Sequence, residues 1–499
     1  MSLSQIKNKI LSSSFIKKLL FGTFWMTFGT LISRGLFALA SIVLARILTV
    51  DEFGEFGMVK STIDNFLIFA SMGIGLTTTK YISELKDNDK KAASSVLGAS
   101  ISIVLILSSL IALLISFFSE KIASDILGNT NLQIPLIIGS FTLIFIALNG
   151  TQMGALLGFQ AYKKNSTSNI FQGLFLFLGL IIGGYLGGVK GALIGNLIAI
   201  AMVSIVLQIL LRKESKKQEI GLNLENWKYN VKKIYKFAIP ASLSTIIVAP
   251  TIWFLNTLLV NQPNGYKELG LYSAVIIFST GIQMFNGAIS SVLLPMFLSK
   301  SEEKTPKKEF FNYFGSWIIS IAIAFPILLF PELVSFILGD KYQIEEIIPI
   351  LGMSIFSTFV NTNRSGVIRD LIVKNKMWLN VFSMGQWAIT NLVIFYFLKG
   401  YGAVGFAFAY MVSYILNYLI LTPFFIFKKI SPPAIFYSIW NLIIWVLLLL
   451  LVVSTILLVD DFYLRIVIGL VCFALIILTF IQFYKKYINN IEMSFYKDL

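Results

Sequence analysis

The chain has 499 residues, of which 57% are hydrophobic and only 13% charged, with a formal net charge of +15. Soluble domains carry about 25% charged residues, so this chain lacks the polar surface that a water-soluble globule needs. It contains no histidine and a single cysteine, Cys472, which excludes an intrachain disulfide, a thiolate metal cluster and every catalytic site built on histidine.

The elements follow one another as apolar runs. A helix needs about 20 apolar residues to cross a bilayer core of ~30 Å. Fourteen such spans are expected, at 19–47, 55–80, 92–118, 133–157, 167–187, 190–211, 234–260, 268–297, 309–330, 345–373, 377–398, 402–427, 434–459 and 463–484. The first follows Lys7, Lys9, Lys17 and Lys18, but Arg34 interrupts its apolar stretch. It reads as a retained helix, not a cleaved signal peptide.

The loops alternate between lysine-rich and lysine-poor. With the N-terminus inside, 29 of the 40 basic residues fall in inside segments, 6 in outside loops and 5 within spans. Cytoplasmic loops carry the excess of Lys and Arg, so both termini are expected in the cytoplasm. The net positive charge is thereby explained without nucleic acid as a partner. No GxxxxGK[ST] phosphate loop occurs, so no ATP motor is encoded. The outside loops are too short for the catalytic loop of a membrane-bound polymerase or glycosyltransferase, and the chain is not expected to be an enzyme.

The longest inside loop spans 212–236. Within it Trp227, Val231, Ile234 and Tyr235 lie at helical spacing among lysines, which predicts an amphipathic interfacial helix. An internal repeat surrounds it. Glu52, Gly54 and Phe56 match Glu268, Gly270 and Tyr272 at an offset of 216; Gly191 and Gly195 match Gly405 and Ala409 at 214; Asn165 and Asn169 align with Lys376 and Asn380 at 211, the second pair alone being an identity. The expected fold is therefore all-α and polytopic. A lobe at 1–211 and a lobe at 234–430, six spans each, are joined by a cytoplasmic linker at 212–233. An even number of spans per unit inserts both copies the same way, with a pseudo-two-fold axis along the membrane normal. Two extra helices and a tail fill 431–499.

Several motifs carry a family likeness. Ala45-Arg46-Ile47-Leu48, Glu52-Phe53-Gly54-x-Phe56-Gly57, Gly73-Ile74-Gly75-Leu76 and Lys80-Tyr81-Ile82 resemble the start of the polysaccharide flippases. These belong to the multidrug/oligosaccharidyl-lipid/polysaccharide exporter superfamily. Gly154-x-x-x-Gly158-x-x-Ala161 and Gly188-x-x-Gly191-Ala192 fit the same pattern. The resemblance covers roughly residues 15–430. It implies two bundles around a cavity that opens alternately to either side. It also implies flipping of an undecaprenyl-diphosphate-linked oligosaccharide, such as an O-antigen unit of lipopolysaccharide biosynthesis, across a bacterial inner membrane. The partners implied are that substrate, membrane lipids, a polysaccharide polymerase and a chain-length regulator. A lipid II flippase, which handles the peptidoglycan precursor, is the nearest alternative. A cation-coupled multidrug exporter is the next.

Such a substrate needs a hydrated, cationic path. A charge at a helix centre costs ~2.5–3.5 kcal/mol on insertion scales, so it faces a cavity or a partner. Arg34, mid-span one, and Arg364, in the polar patch Asn361-Thr-Asn363-Arg364-Ser of span ten, are the leading diphosphate ligands. The planar guanidinium fork suits phosphate oxygens; an interhelix hydrogen bond is the other reading of Arg34. Lys60 and Asp64 are four apart on span two and able to pair. They are either a neutral intrahelical pair or a cavity pair, with Asp64 the candidate site for a coupling H+ or Na+. No other cofactor and no metal is expected. Asn363 and Arg369 complete the substrate set, while Arg46 reads as an interfacial anchor. Trp253, Asn256, Gln283 and Asn286 are candidates for glycan contacts. Pro240, Pro250 and Pro295 are candidate hinges or packing kinks.

Overall fold

A computed structural model of the chain describes residues 14–224, 234, 246–298, 306–374 and 376–489. Every regular element among them is helical. This follows from the solvent: in lipid, each backbone N–H and C=O must be satisfied within its own helix. All fourteen expected spans have a helical counterpart. The first six are Ser14–Ile47; Val50–Ser71 with Ile74–Leu85; Lys90–Phe117; Gln133–Gly158; and the two arms of Tyr162–Gln218. The last eight are Ile246–Val260, Gly265–Leu298, Pro306–Leu329, Ile344–Asn363 with Ser365–Val373, Met377–Leu398, Gly402–Phe427, Ile439–Leu457 and Phe462–Asn489.

Ten helical stretches are long and apolar enough to cross a membrane. Two of them, 162–218 and 377–427, each hold two spans. Span two falls short because it carries Asp51, Glu52, Glu55, Lys60 and Asp64 and breaks at Met72 and Gly73, both at positive φ. Span seven falls short because only 246–260 of it lies among the described residues.

The chain divides into two compact units. The first holds residues 1–47 and 59–249; the second holds 48–58 and 250–499. This division falls after residue 249, beyond the linker expected at 212–233. Span six continues as helix to Gln218. Residues 48–58, the turn into span two, belong with the second unit.

In the first unit, spans five and six cross closely. Gly179 lies on the carbonyl of Gly195, and Gly183 on that of Gly191. The Gly179-x-x-x-Gly183 spacing is thus a close-packing motif. The chain leaving span six is held on span three by a Lys90–Glu219 ion pair of 2.6 Å and by Gly221 N–H donating to Ser94 Oγ at 3.1 Å. The amphipathic helix expected around Trp227 and Val231 lies outside the described residues, as do Tyr235 and Pro240. Ile234 is buried against Ile74, Ala99 and Ile103.

In the second unit, the two copies of the repeated Glu-x-Gly motif pack on each other. A Cβ on Gly54 would enter the backbone of Tyr266 and Gly270, and one on Gly270 would enter Val50. Thr49 and Glu52 start span two as a capping box: Thr49 N–H donates to Glu52 Oε2 at 2.8 Å, and Glu52 N–H to Thr49 Oγ1 at 3.2 Å. Glu268 serves differently. Its carboxylate accepts from Ala403 N–H at 2.6 Å and so holds the Gly402 turn.

The few cations expected at the outer end of this unit are all engaged. Lys267 pairs with Glu346 at 2.7 Å, Lys399 lies over the Tyr396 ring, and Lys341 donates to the Leu48 carbonyl. Burial pushes the Lys341 ammonium below its ordinary pKa, against the opposing pull of Glu52. Arg465, counted among the six outside-loop cations, is buried at the start of span fourteen. It pairs with Glu332 and donates to the carbonyls of Leu458 and Val459, which end span thirteen.

Span eight runs on through Pro295 as unbroken helix. The third repeat pairing does not match the helix starts. Spans five and eleven begin at Tyr162 and Met377, 215 apart. An offset of 211 is therefore out of step by about one helical turn.

Candidate functional site

The candidate residues fall into both units. In the first, Arg34 is exposed on span one and Arg46 is exposed at its end. Lys60 and Asp64 form an ion pair of 2.5 Å with both side chains nearly half-exposed. Their i,i+4 spacing brought them together as expected.

In the second unit, span ten breaks at one residue. Helix Ile344–Asn363 ends and Ser365–Val373 begins, with Arg364 between them. Arg364 is only 3% exposed. One terminal nitrogen, Nη2, donates to Ser383 Oγ at 2.6 Å. The other, Nη1, has no hydrogen-bond partner, and neither has the amide of neighbouring Asn363. Ser383 Oγ donates onward to Asn417 Oδ1 at 3.2 Å; Asn417 Nδ2 donates to the Ser383 carbonyl at 2.8 Å and also to Gln386. Among the described residues, no carboxylate pairs with Arg364. A buried cation without an anion is costly. Its side chain is oriented by span eleven through Ser383, and one terminal nitrogen stays open.

An aromatic group lies beside it. Trp387 packs edge-on to Tyr410 at 5.4 Å and tilted against Tyr414 at 5.5 Å, and Tyr272 lies 6.1 Å from Tyr410. Amphipathic rings with a polar edge suit sugar faces and hydroxyls. None of Ser383, Gln386, Trp387, Tyr410, Tyr414 or Asn417 was anticipated from sequence. The signal was there in part: Phe406, Tyr410, Tyr414 and Tyr418 recur every fourth residue along span twelve.

Arg369 is placed differently from Arg364. Its Nε donates to Asn312 Oδ1 at 2.7 Å, Nη1 to Ser290 Oγ at 2.7 Å, and Nη2 to the Asn312 carbonyl. Next to it, Asp370 accepts from Tyr313 Oη at 2.5 Å and from Asn312 Nδ2 at 3.3 Å. This pair ties span ten to spans eight and nine, so the guanidinium is spent on protein. Of the glycan candidates, Asn256 is buried and Trp253 half-buried. Gln283 Nε2 makes a long 3.5 Å contact to Thr358 Oγ1, and Asn286 Oδ1 has no partner.

Comparisons with known proteins bear on the family and the fold. The chain is 24% identical over 414 residues to the lipid III flippase of Escherichia coli strain K12, covering 79% of this chain and 95% of that protein. Its fold is similar to the inward-facing form of a multidrug-resistance transporter of the MATE family, in the MOP superfamily. That match has a TM-score of 0.61 and 16% identity, covering 79% of this chain and 96% of the other. It is also similar to a MOP superfamily transporter from Pyrococcus furiosus, with a TM-score of 0.60 and 16% identity, over 83% and 96% of the two chains. The family model for polysaccharide biosynthesis proteins matches residues 19–299, more than half of the chain, and the protein belongs to that family.

Proposed function

We propose that this protein flips an undecaprenyl-diphosphate-linked oligosaccharide, an O-antigen or similar surface-polymer unit, across a bacterial inner membrane. The observation that carries the reading is Arg364, a buried guanidinium with one terminal nitrogen unpaired and, among the described residues, no carboxylate paired with it. A diphosphate supplies the missing anion, and arginine binds it through paired N–H groups. Tyr414, whose phenol lies near the Arg364 guanidinium, adds a polar edge that suits a sugar hydroxyl. The relative named a lipid III flippase supports the substrate class. A buried cation repels a cationic drug, which disfavours the exporter reading.

On this proposal the lysine-rich loops and both termini face the cytoplasm. Movement of the head group follows alternating access, with Arg34 as the cation of the first unit. Asp64 exchanges a coupling H+ or Na+ while Lys60 neutralises its carboxylate. The product then goes to a polymerase with its chain-length regulator. The protein itself performs no covalent chemistry.

The test is reconstitution. Purified protein in vesicles, supplied with fluorescent polyprenyl-diphosphate oligosaccharide, should expose the glycan to an external lectin. Arg364→Ala should slow this at least tenfold, with Arg364→Lys intermediate because it keeps charge but loses the fork. Equal rates for wild type and Arg364→Ala would overturn the cationic-site mechanism. Faster flipping of lipid II than of the longer glycan would reassign the substrate to the peptidoglycan precursor.

A further inference from the structure

The hydrogen bonds behind Arg364 fix the orientation of each group they join, and they end on a second open donor. The relay begins at a group that can only donate, the Arg364 guanidinium, and includes one that can only accept, the Ser383 carbonyl. Arg364 Nη2 occupies a lone pair of Ser383 Oγ at 2.6 Å, so the serine proton is left for Asn417 Oδ1, 3.2 Å away. Asn417 in turn directs Nδ2 to the Ser383 carbonyl at 2.8 Å. Both contacts demand the same amide orientation, since a flipped Asn417 would set oxygen against oxygen. The same Nδ2 also donates to Gln386 Oε1. Gln386 is thereby held with its oxygen on Asn417, and its Nε2 is left over as a donor.

Gln386 Nε2 is buried and has no hydrogen-bond partner among the described residues, the same condition as Arg364 Nη1. Ser383, which anchors Arg364, and Gln386 lie three residues apart on span eleven, so they share one face within a single turn. Ser383 and Asn417 are fully buried, so water does not compete for the bonds that hold the arrangement. A buried donor is unfavourable until an acceptor reaches it. Two of them, both with their orientation fixed, call for a ligand rich in acceptors and poor in donors. An ionised diphosphate offers acceptors alone. Asn363 gives the contrast: neither end of its amide has a partner, so no hydrogen bond chooses which end faces a ligand.

We propose that Gln386 is a second diphosphate ligand beside Arg364, kept as a donor by Asn417, its positioning residue. This rests on the reading of Arg364 as a diphosphate ligand and adds the neutral half of the site. A neutral donor has a specific use there. It binds the anion without adding a second buried cation, which would need its own compensation whenever the site is empty.

The test uses the full-length protein in detergent, titrated with geranyl diphosphate by isothermal titration calorimetry, with melting temperature measured alongside. Gln386→Leu removes the donor but leaves Asn417 on Ser383, so Arg364 stays oriented; affinity should fall about fivefold or more. Gln386→Glu keeps the size of the side chain and the oxygen that accepts from Asn417, and exchanges only the free N–H for a carboxylate oxygen. It should lose more affinity than Gln386→Leu at an unchanged melting temperature. Asn417→Asp cannot donate, so Gln386 turns Nε2 inward to the new carboxylate and presents oxygen to the ligand. Affinity should fall, and adding Gln386→Leu to Asn417→Asp should cost nothing further, because the donor is already lost. Wild-type affinity in Gln386→Leu or Gln386→Glu, or a further loss in the double variant, overturns the proposal, while weaker binding by Arg364→Ala leaves the Arg364 site standing. Absence of binding by wild type, or equal binding by wild type and Arg364→Ala, overturns the Arg364 reading and this proposal with it.

Discussion

Gly188 and Gly402, 214 residues apart, hold the same backbone conformation: φ 56° with ψ −138°, and φ 57° with ψ −138°. Each turns the chain from the fifth helix of its half into the sixth. The offset equals that of Gly191 with Gly405, so the internal repeat read in the sequence extends to the dihedral angles. An L side chain is strained there by about 1–3 kcal/mol. Gly402→Ala should be the worse of the two, because its Cβ would also meet the Glu268 carboxylate. Thermal unfolding in detergent should show both variants below wild type, with Gly402→Ala lower. Equal melting temperatures for all three proteins would refute the constraint.

Arg364 and Arg369 are five residues apart and should separate by phenotype. Arg369 is bound on three nitrogens to spans eight and nine. Its replacement by Ala strands the Asn312 partners and should cost about 3 kcal/mol of stability. Protein yield should fall with it. Arg364→Ala removes a single hydrogen bond and relieves an unpaired buried cation. Yield should hold while transport falls. Measuring expression by fluorescence size exclusion and polymer export in the same cells checks both.

Arg465 should be a structural staple. It joins Glu332 to the carbonyl end of span thirteen while 1% exposed. Arg465→Ala should lower stability by about 2–4 kcal/mol. Glu332→Gln keeps an acceptor for the guanidinium but removes its counter-charge, and should cost less than Arg465→Ala, about 1–2 kcal/mol. The order of the two melting temperatures is the readout.

Lys60 and Asp64 admit a double-mutant test. If Asp64 carries the coupling ion, Asp64→Asn should lower transport at least tenfold, and Lys60→Gln in the same chain should not restore it. Recovery in the double variant would identify a neutral pair whose task is insertion. Accumulation of flipped glycan under imposed H+ and Na+ gradients gives the measurement.

Topology is testable with single cysteines in a Cys472→Ala background. Cys472 is buried, so the background should be silent. Positions in 331–344 should react with an impermeant thiol reagent in intact cells. Positions in 212–224 should react only after the membrane is opened. Labelling of 212–224 from outside would invert the orientation.

The sequence by itself determined the number of spans, the doubling of the fold and the ionic partners on a single helix. These follow from local physics. A bilayer admits only helices of sufficient apolar length, and residues four apart on a helix meet whatever surrounds them, as Lys60 and Asp64 do. Tertiary structure decided everything that depends on which helix lies beside which. Arg364 and Arg369 have similar sequence surroundings, yet Asn312 and Ser290 satisfy one while the other keeps a bare nitrogen. Arg465 counted as a loop charge until Glu332, 133 residues away, reached it. The turn at 48–58 left its own half because Gly54 and Gly270, lacking side chains, let two backbones touch. No periodicity encodes such contacts, since they arise from complementary surfaces on distant segments.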